Sequence, residues 1–147
     1  MNEATAAQSL YERDFSAWLD EQAAFLRSRR WNDLDLPHLI EEVEDLAGNL
    51  RRELRSRLSV VLVHLLKLRY QPERRSGSWL ASVYEQRARL DGLLEESPSL
   101  RRFVQSGVER EYGPARRIAA AETGLSMQSF PERCPFTIAD VLEGSLD

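Results

Sequence analysis

A chain of 147 residues, 42% hydrophobic and 30% charged, is one domain's worth of sequence, long enough to bury a core and too apolar for general disorder. The net charge of −4 argues against nucleic acid as a partner, and the longest apolar run, Leu58 to Leu66 interrupted by His64, falls far short of the roughly 20 residues of a membrane span. The single cysteine, Cys134, cannot form an internal disulfide, which fits a reducing cytoplasm.

Seven Gly, six Pro and no stretch rich in β-branched residues favour helices over sheet. Residues 1–9 are small and polar without periodicity; they are expected to be disordered, and they lack the basic and apolar parts of a signal peptide. A helix is predicted from about Leu10 to Arg29, with Tyr11, Phe15, Trp18, Gln22, Phe25 and Leu26 along one aromatic-rich face. The basic run Arg27-Ser28-Arg29-Arg30 suits its C-terminus, where cations meet exposed carbonyls.

Asp35 reads as an N-cap, because Pro37 falls in the first turn that follows. From there Leu36, Ile40, Val43, Ala47, Leu50, Leu54, Leu58, Val61, Leu65 and Leu68 recur at spacings of three and four. That unbroken stripe predicts one long helix over about 36–70, with two helices meeting at Gly48-Asn49 as the alternative. Pro72 disfavours helical geometry at Gln71 and ends it.

A third helix follows, capped by Ser76 or Ser78 and running to about Glu96 with Trp79, Val83, Leu90, Leu93 and Leu94 inward. Ser97 and Pro98 open a fourth, which Gly113-Pro114 is expected to break or kink and Gly124 to stop. The segment after Gly124, with Met127, Phe130, Pro131, Cys134, Pro135 and Phe136, is apolar and proline-punctuated, so it is expected to be irregular. Thr137 can cap a last short helix, Ile138 to Leu142.

Three groups of residues can carry chemistry. Glu41, Glu42, Glu44 and Asp45 lie in the first turns of the long helix, where the macrodipole alone favours acids; the functional reading is a carboxylate cluster receiving a metal or an arginine. No Glu-x-x-His motif supports a metal. His64, Lys67 and Gln71 share one flank of the long helix, with Tyr70 and Arg75 following. A histidine beside an apolar stripe is commonly a satisfied core residue. Lys67 is the only lysine among 20 basic residues, either by codon bias towards arginine or because a compact point charge is needed there. Arg74, Arg75 and Arg87 with Trp79 can bind phosphate or carboxylate, or pair with Glu41 or Glu44 in a polar seam. Cys134 shows no local sign of activation, and neither a nucleophile elbow nor a Gly-rich phosphate loop occurs.

Tyr11-x-x-Asp14-Phe15-x-x-Trp18, Leu34-Asp35-Leu36, Leu39-Ile40-Glu41-Glu42-Val43-Glu44, His64-Leu65-Leu66-Lys67, Tyr70-Gln71-Pro72-Glu73-x-Arg75 and Ser78-Trp79 occur in order. Glu122-Thr123-Gly124-Leu125, Phe130-Pro131 and Cys134-Pro135-Phe136-Thr137 follow. Together they resemble the bacterial family catalogued as domain of unknown function 29, over roughly residues 10 to 143. The family often has an aromatic where Leu68 or Arg69 stands, and Tyr where Phe136 stands. The resemblance implies a small helical protein of cyanobacteria and proteobacteria, and it carries over no activity and no catalytic residues.

The expectation is therefore a single-domain, all-α helical bundle over residues 10–147, of five or six helices around the long central one. Its expected function is a cytoplasmic protein-interaction module without catalysis, self-associating or binding another protein, with no cofactor, metal, membrane or nucleic acid. The alternative is an enzyme or a ligand- or metal-binding protein using a polar pocket around Glu41, Glu44, His64, Lys67 and Arg75.

Overall fold

Asp14 divides the first expected helix in two. In the computed structural model, which describes residues 8–147, α1 spans Leu10–Arg13 and α2 spans Phe15–Arg27. Asp14 sits between them at φ −152°, and its carboxylate accepts from the Ala17 backbone N–H at 3.0 Å. A short acidic side chain that can satisfy an orphan donor competes with helix continuation, and here it wins. The disordered start expected over 1–9 lies, up to residue 7, outside the described residues.

The end of α2 is a Schellman turn. The Arg30 N–H reaches the Phe25 carbonyl at 2.9 Å and the Arg29 N–H reaches Leu26 at 3.2 Å, which places Arg29 at a left-handed φ of 56°. A turn of 3₁₀ helix, Trp31–Asp33, then leads into α3, Leu36–Tyr70. This is the long helix that the spacing predicts, and it runs through Gly48 without a break. The remaining helices are α4 (Gly77–Glu96), α5 (Val104–Thr123) and α6 (Ile138–Leu142). The described chain is 80% helical without a strand, an all-α fold of six helices as expected.

Several local signals act as the sequence suggests. Ser76 caps α4 by accepting from the Trp79 N–H at 3.3 Å, and Gly124 ends α5 at φ 74°. Thr137 and Asp140 form a capping box on α6. Two signals act differently. Ser97-Pro98 opens a 3₁₀ segment, Pro98–Phe103, before α5 begins. Gly113-Pro114 leaves α5 uninterrupted: Val108 and Tyr112 before the proline and Ala115 and Ala119 after it are all buried, and that packing outweighs one lost backbone bond.

The chain divides into two compact units, one ending at Gly48 and the other spanning Asn49–Asp147. The second unit holds the main core. Leu58, Leu62 and Leu66 of α3, Val83 and Leu90 of α4, Ala115 and Ala119 of α5, then Phe130 and Val141 are all buried in it. Each such leucine contributes about 1.5–3 kcal/mol by leaving water. Gly107 of α5 lets α3 approach closely: a Cβ there would stand 3.0 Å from Leu58 Cδ1.

The first unit has a smaller, partly polar centre. Trp18 and Gln22 of α2 are its buried residues, 2% and 3% exposed. Around them Tyr11 stacks on His38 with ring centres 3.8 Å apart, and the Trp18 ring stands nearly perpendicular to both.

Candidate functional site

Two regions of the molecule hold the residues with the greatest chemical potential, one in each unit. In the first, Asp35 gathers three contacts at the head of α3. Its Oδ2 accepts from Trp18 Nε1 at 3.0 Å and from His38 Nδ1 at 2.7 Å, while its backbone N–H donates to Gln22 Oε1 at 2.8 Å. Partial burial pushes the Asp35 carboxyl up, but the hydrogen bonds from His38 and Trp18 outweigh it and hold the group below its usual value. Tyr11 donates to Glu42 Oε1 at 2.6 Å, and that carboxylate, with the group's burial, raises the hydroxyl to about 12. The network ties α1 and α2 to the start of α3, and every polar group in it has a partner.

Glu41 and Glu44, expected as pocket residues, are solvent-exposed on this unit. Beside them lies a feature of a different kind. Leu36, Ile40, Val43 and Leu46 of α3 are 54–65% exposed, and Phe15, Leu19 and Leu26 of α2 are 43–45% exposed. Leu39, Ile40, Val43 and Glu44 border a shallow apolar groove of about 340 Å³.

In the second unit, the end of α3 meets α4 and α5. Lys67 is 7% exposed; its ammonium lies 2.8 Å from Glu122 Oε2 and 4.6 Å from the centre of the Trp79 ring. An ammonium between a carboxylate and an indole face is held by ion pairing and by the ring quadrupole together. Gln71 is buried next to it and donates from Nε2 to the Thr123 carbonyl at 3.4 Å. Tyr70 meets Phe130 edge to face, with ring centres 5.6 Å apart. His64 donates from Nδ1 to the Val60 carbonyl one turn earlier, at 2.8 Å.

The two candidate arginines hold the C-terminal segment. Arg87, buried in α4, donates to the carbonyls of Asp140 at 2.7 Å, Gly144 at 2.8 Å and Val141 at 3.0 Å. Those carbonyls belong to the end of α6 and the turn after it, where backbone acceptors lack helical partners. Arg75 donates to the Leu146 carbonyl. Both therefore spend donors on backbone carbonyls, where the sequence suggested carboxylates. Burial pushes the Cys134 thiol up, away from the thiolate form a nucleophile needs. Among the described residues no group of three His, Cys, Asp or Glu is placed to hold a metal ion, and no helix is long and apolar enough to cross a membrane.

Of the expected candidates, Lys67 and Trp79 are thus brought into direct contact, with Gln71 alongside. The sequence does not mark Glu122 as the partner of Lys67, nor the cluster of Tyr11, Trp18, Asp35 and His38. A separation of 55 residues leaves no local sign of the first, and the second depends on how α1 and α2 fold against the head of α3.

The family model described as Domain of unknown function DUF29 matches residues 10–146. No curated protein and no solved structure matches the chain.

Proposed function

The chain belongs to the DUF29 family, and from that premise we propose that residues 10–147 act as one helical protein-interaction module without catalysis. The surface that binds is the exposed apolar face of α3 from Leu36 to Leu46, with the groove bordered by Leu39, Ile40, Val43 and Glu44. One observation carries the reading. The same three-and-four stripe of α3 is buried at Leu54, Leu58, Val61 and Leu65, and bare at Leu36, Ile40, Val43 and Leu50. A contiguous apolar patch of several hundred Å² on a protein surface marks an interaction site. The polar groups that could do acid–base work support the same reading, because Lys67, His64, Asp35 and Arg87 are all engaged by internal partners. We place the module in the cytoplasm on its single, unpaired cysteine, and the net charge of −4 disfavours nucleic acid as the partner.

The test is retention from lysate of the native host by tagged wild type and by the Ile40→Glu/Val43→Glu variant. Both positions are exposed, so the variant keeps its helical circular dichroism. A chain held by wild type and lost by the variant is expected, whether a second copy or another protein. Identical retention by the two rules the surface out.

A further inference from the structure

We infer that a pocket between α3 and α5 binds a phosphoryl dianion, free or as the monoester of a small molecule. The pocket lies wholly within the second unit, and the inference is independent of the interaction reading above. Arg51 and Arg55, one turn apart on α3, line it with Phe103, Ser106, Gly107 and Arg110 around a volume of about 230 Å³. Gly107 makes room for it: a Cβ there would stand 3.7 Å from Arg55 Cγ as well as 3.0 Å from Leu58 Cδ1, so the Arg55 stem lies directly against α5.

The first argument is charge. Elsewhere in this unit arginines are answered by acids or by backbone: Arg57 pairs with Glu53 and Arg89 with Glu85, while Arg87 and Arg116 donate to carbonyls. At the pocket three arginines share one acid, Glu111, whose carboxylate stands 3.6 Å from Arg55 Nε. Among the described residues Arg51 and Arg110 are in no ion pair. Three guanidinium groups less one carboxylate leave two positive charges unanswered, in a chain whose net charge is −4. Like charges around one small space repel, and a dianion seated among them removes that repulsion.

The second argument is shape. The Arg51 guanidinium lies over the Phe103 ring, 4.6 Å from its centre, and Arg102 lies over the same ring at 4.7 Å. Stacking of this kind fixes the plane of the Arg51 fork and leaves its in-plane N–H groups free to donate. A phosphate monoester offers three terminal oxygens and a charge of about −1.5 to −2 near neutral pH, which suits several guanidinium forks; a carboxylate offers two oxygens and a single charge. The volume is below the roughly 300–1,000 Å³ of pockets for larger ligands, so a phosphoryl group with a few attached atoms fills it.

The experiment titrates the full chain, at constant ionic strength in chloride, with inorganic phosphate, glycerol phosphate or acetate, and follows the assigned arginine Nε–Hε resonances. Saturable shifts at Arg51, Arg55 and Arg110 are expected with the phosphates, and none at Arg117, which is exposed two turns further along α5. The phosphate that binds more tightly names the source of the group, free or esterified. Arg51→Gln and Arg110→Gln, both at exposed positions, are each expected to weaken binding roughly tenfold with unchanged helical circular dichroism, and Arg117→Gln to leave it unaltered. The site is overturned by the absence of a saturable shift, by shifts spread evenly over the exposed arginines, by acetate binding as tightly as phosphate, or by either pocket variant binding like the wild type.

Discussion

Leu50 and Leu54 stand one turn apart on the same stripe of α3, yet Leu50 is 39% exposed and Leu54 is fully buried. Identical chemistry at adjacent positions of one pattern therefore has opposite surroundings. Leu54→Ala removes core contacts and is expected to cost about 2–5 kcal/mol, whereas Leu50→Ala, at concentrations where the chain is monomeric, is expected to cost less than about 1 kcal/mol. Urea denaturation of the two variants measures the difference.

Arg29 adopts φ 56° as the left-handed residue that closes α2. Most side chains strain there and glycine does not, so Arg29→Gly is expected to stabilise the protein by about 0.5–1 kcal/mol despite adding freedom to the unfolded chain. A rise in the thermal midpoint checks it; a fall would mean that the Arg29 side chain holds the turn in another way.

Arg87 supplies the acceptors at the end of α6 with three charge-assisted hydrogen bonds. Arg87→Met keeps much of the packing and removes all three donors, with an expected cost of about 3 kcal/mol and early proteolysis after Thr137. Arg87→Lys is expected to rescue little, since a single ammonium cannot span three carbonyls.

These elements differ in how far they could be read from the sequence. The extent of α3 and the caps at Ser76, Gly124 and Thr137 are local, written in spacing and in one or two side chains, and they fold as read. The break at Asp14 is also local, but the apolar period continues across it and masks the cap. What spacing cannot carry is coverage. The stripe of α3 looks the same where it is buried, at Leu54 and Leu58, and where it is exposed, at Ile40 and Val43. Nor can it carry the acceptors of Arg87, which are backbone carbonyls, or Glu122, which lies 55 residues from Lys67. Side-chain chemistry marks the flank of His64, Lys67 and Gln71 in the sequence, although its groups bond to Val60, Glu122 and Thr123 of the fold.

Asp35 links stability to acid. Its folded-state pKa is depressed, so it stabilises the first unit at pH above the ordinary carboxylate value, and that contribution disappears as pH falls through the lower folded value. Loss of the shifted Trp18 indole proton resonance in strongly acid solution is the expected signature, because that N–H donates to Asp35. In Asp35→Asn the acid step at this resonance is expected to vanish.

Lys67 holds Glu122 and the face of Trp79 together. Glu122 is half exposed and can be solvated once unpaired, so Lys67→Ala is expected to cost about 1–3 kcal/mol, mainly from lost packing of the buried stem and the ring contact. Lys67→Met, which keeps the stem, is expected to cost less; the order of the two midpoints in urea decides it.

Retention of a partner chain, a second copy or another protein, by tagged wild type beside Ile40→Glu/Val43→Glu tests the central claim most directly. The exposed apolar face of α3 predicts a chain held by the wild type and lost by a variant of the same helical content. A wild type that holds nothing, or a variant that holds as much, would contradict it.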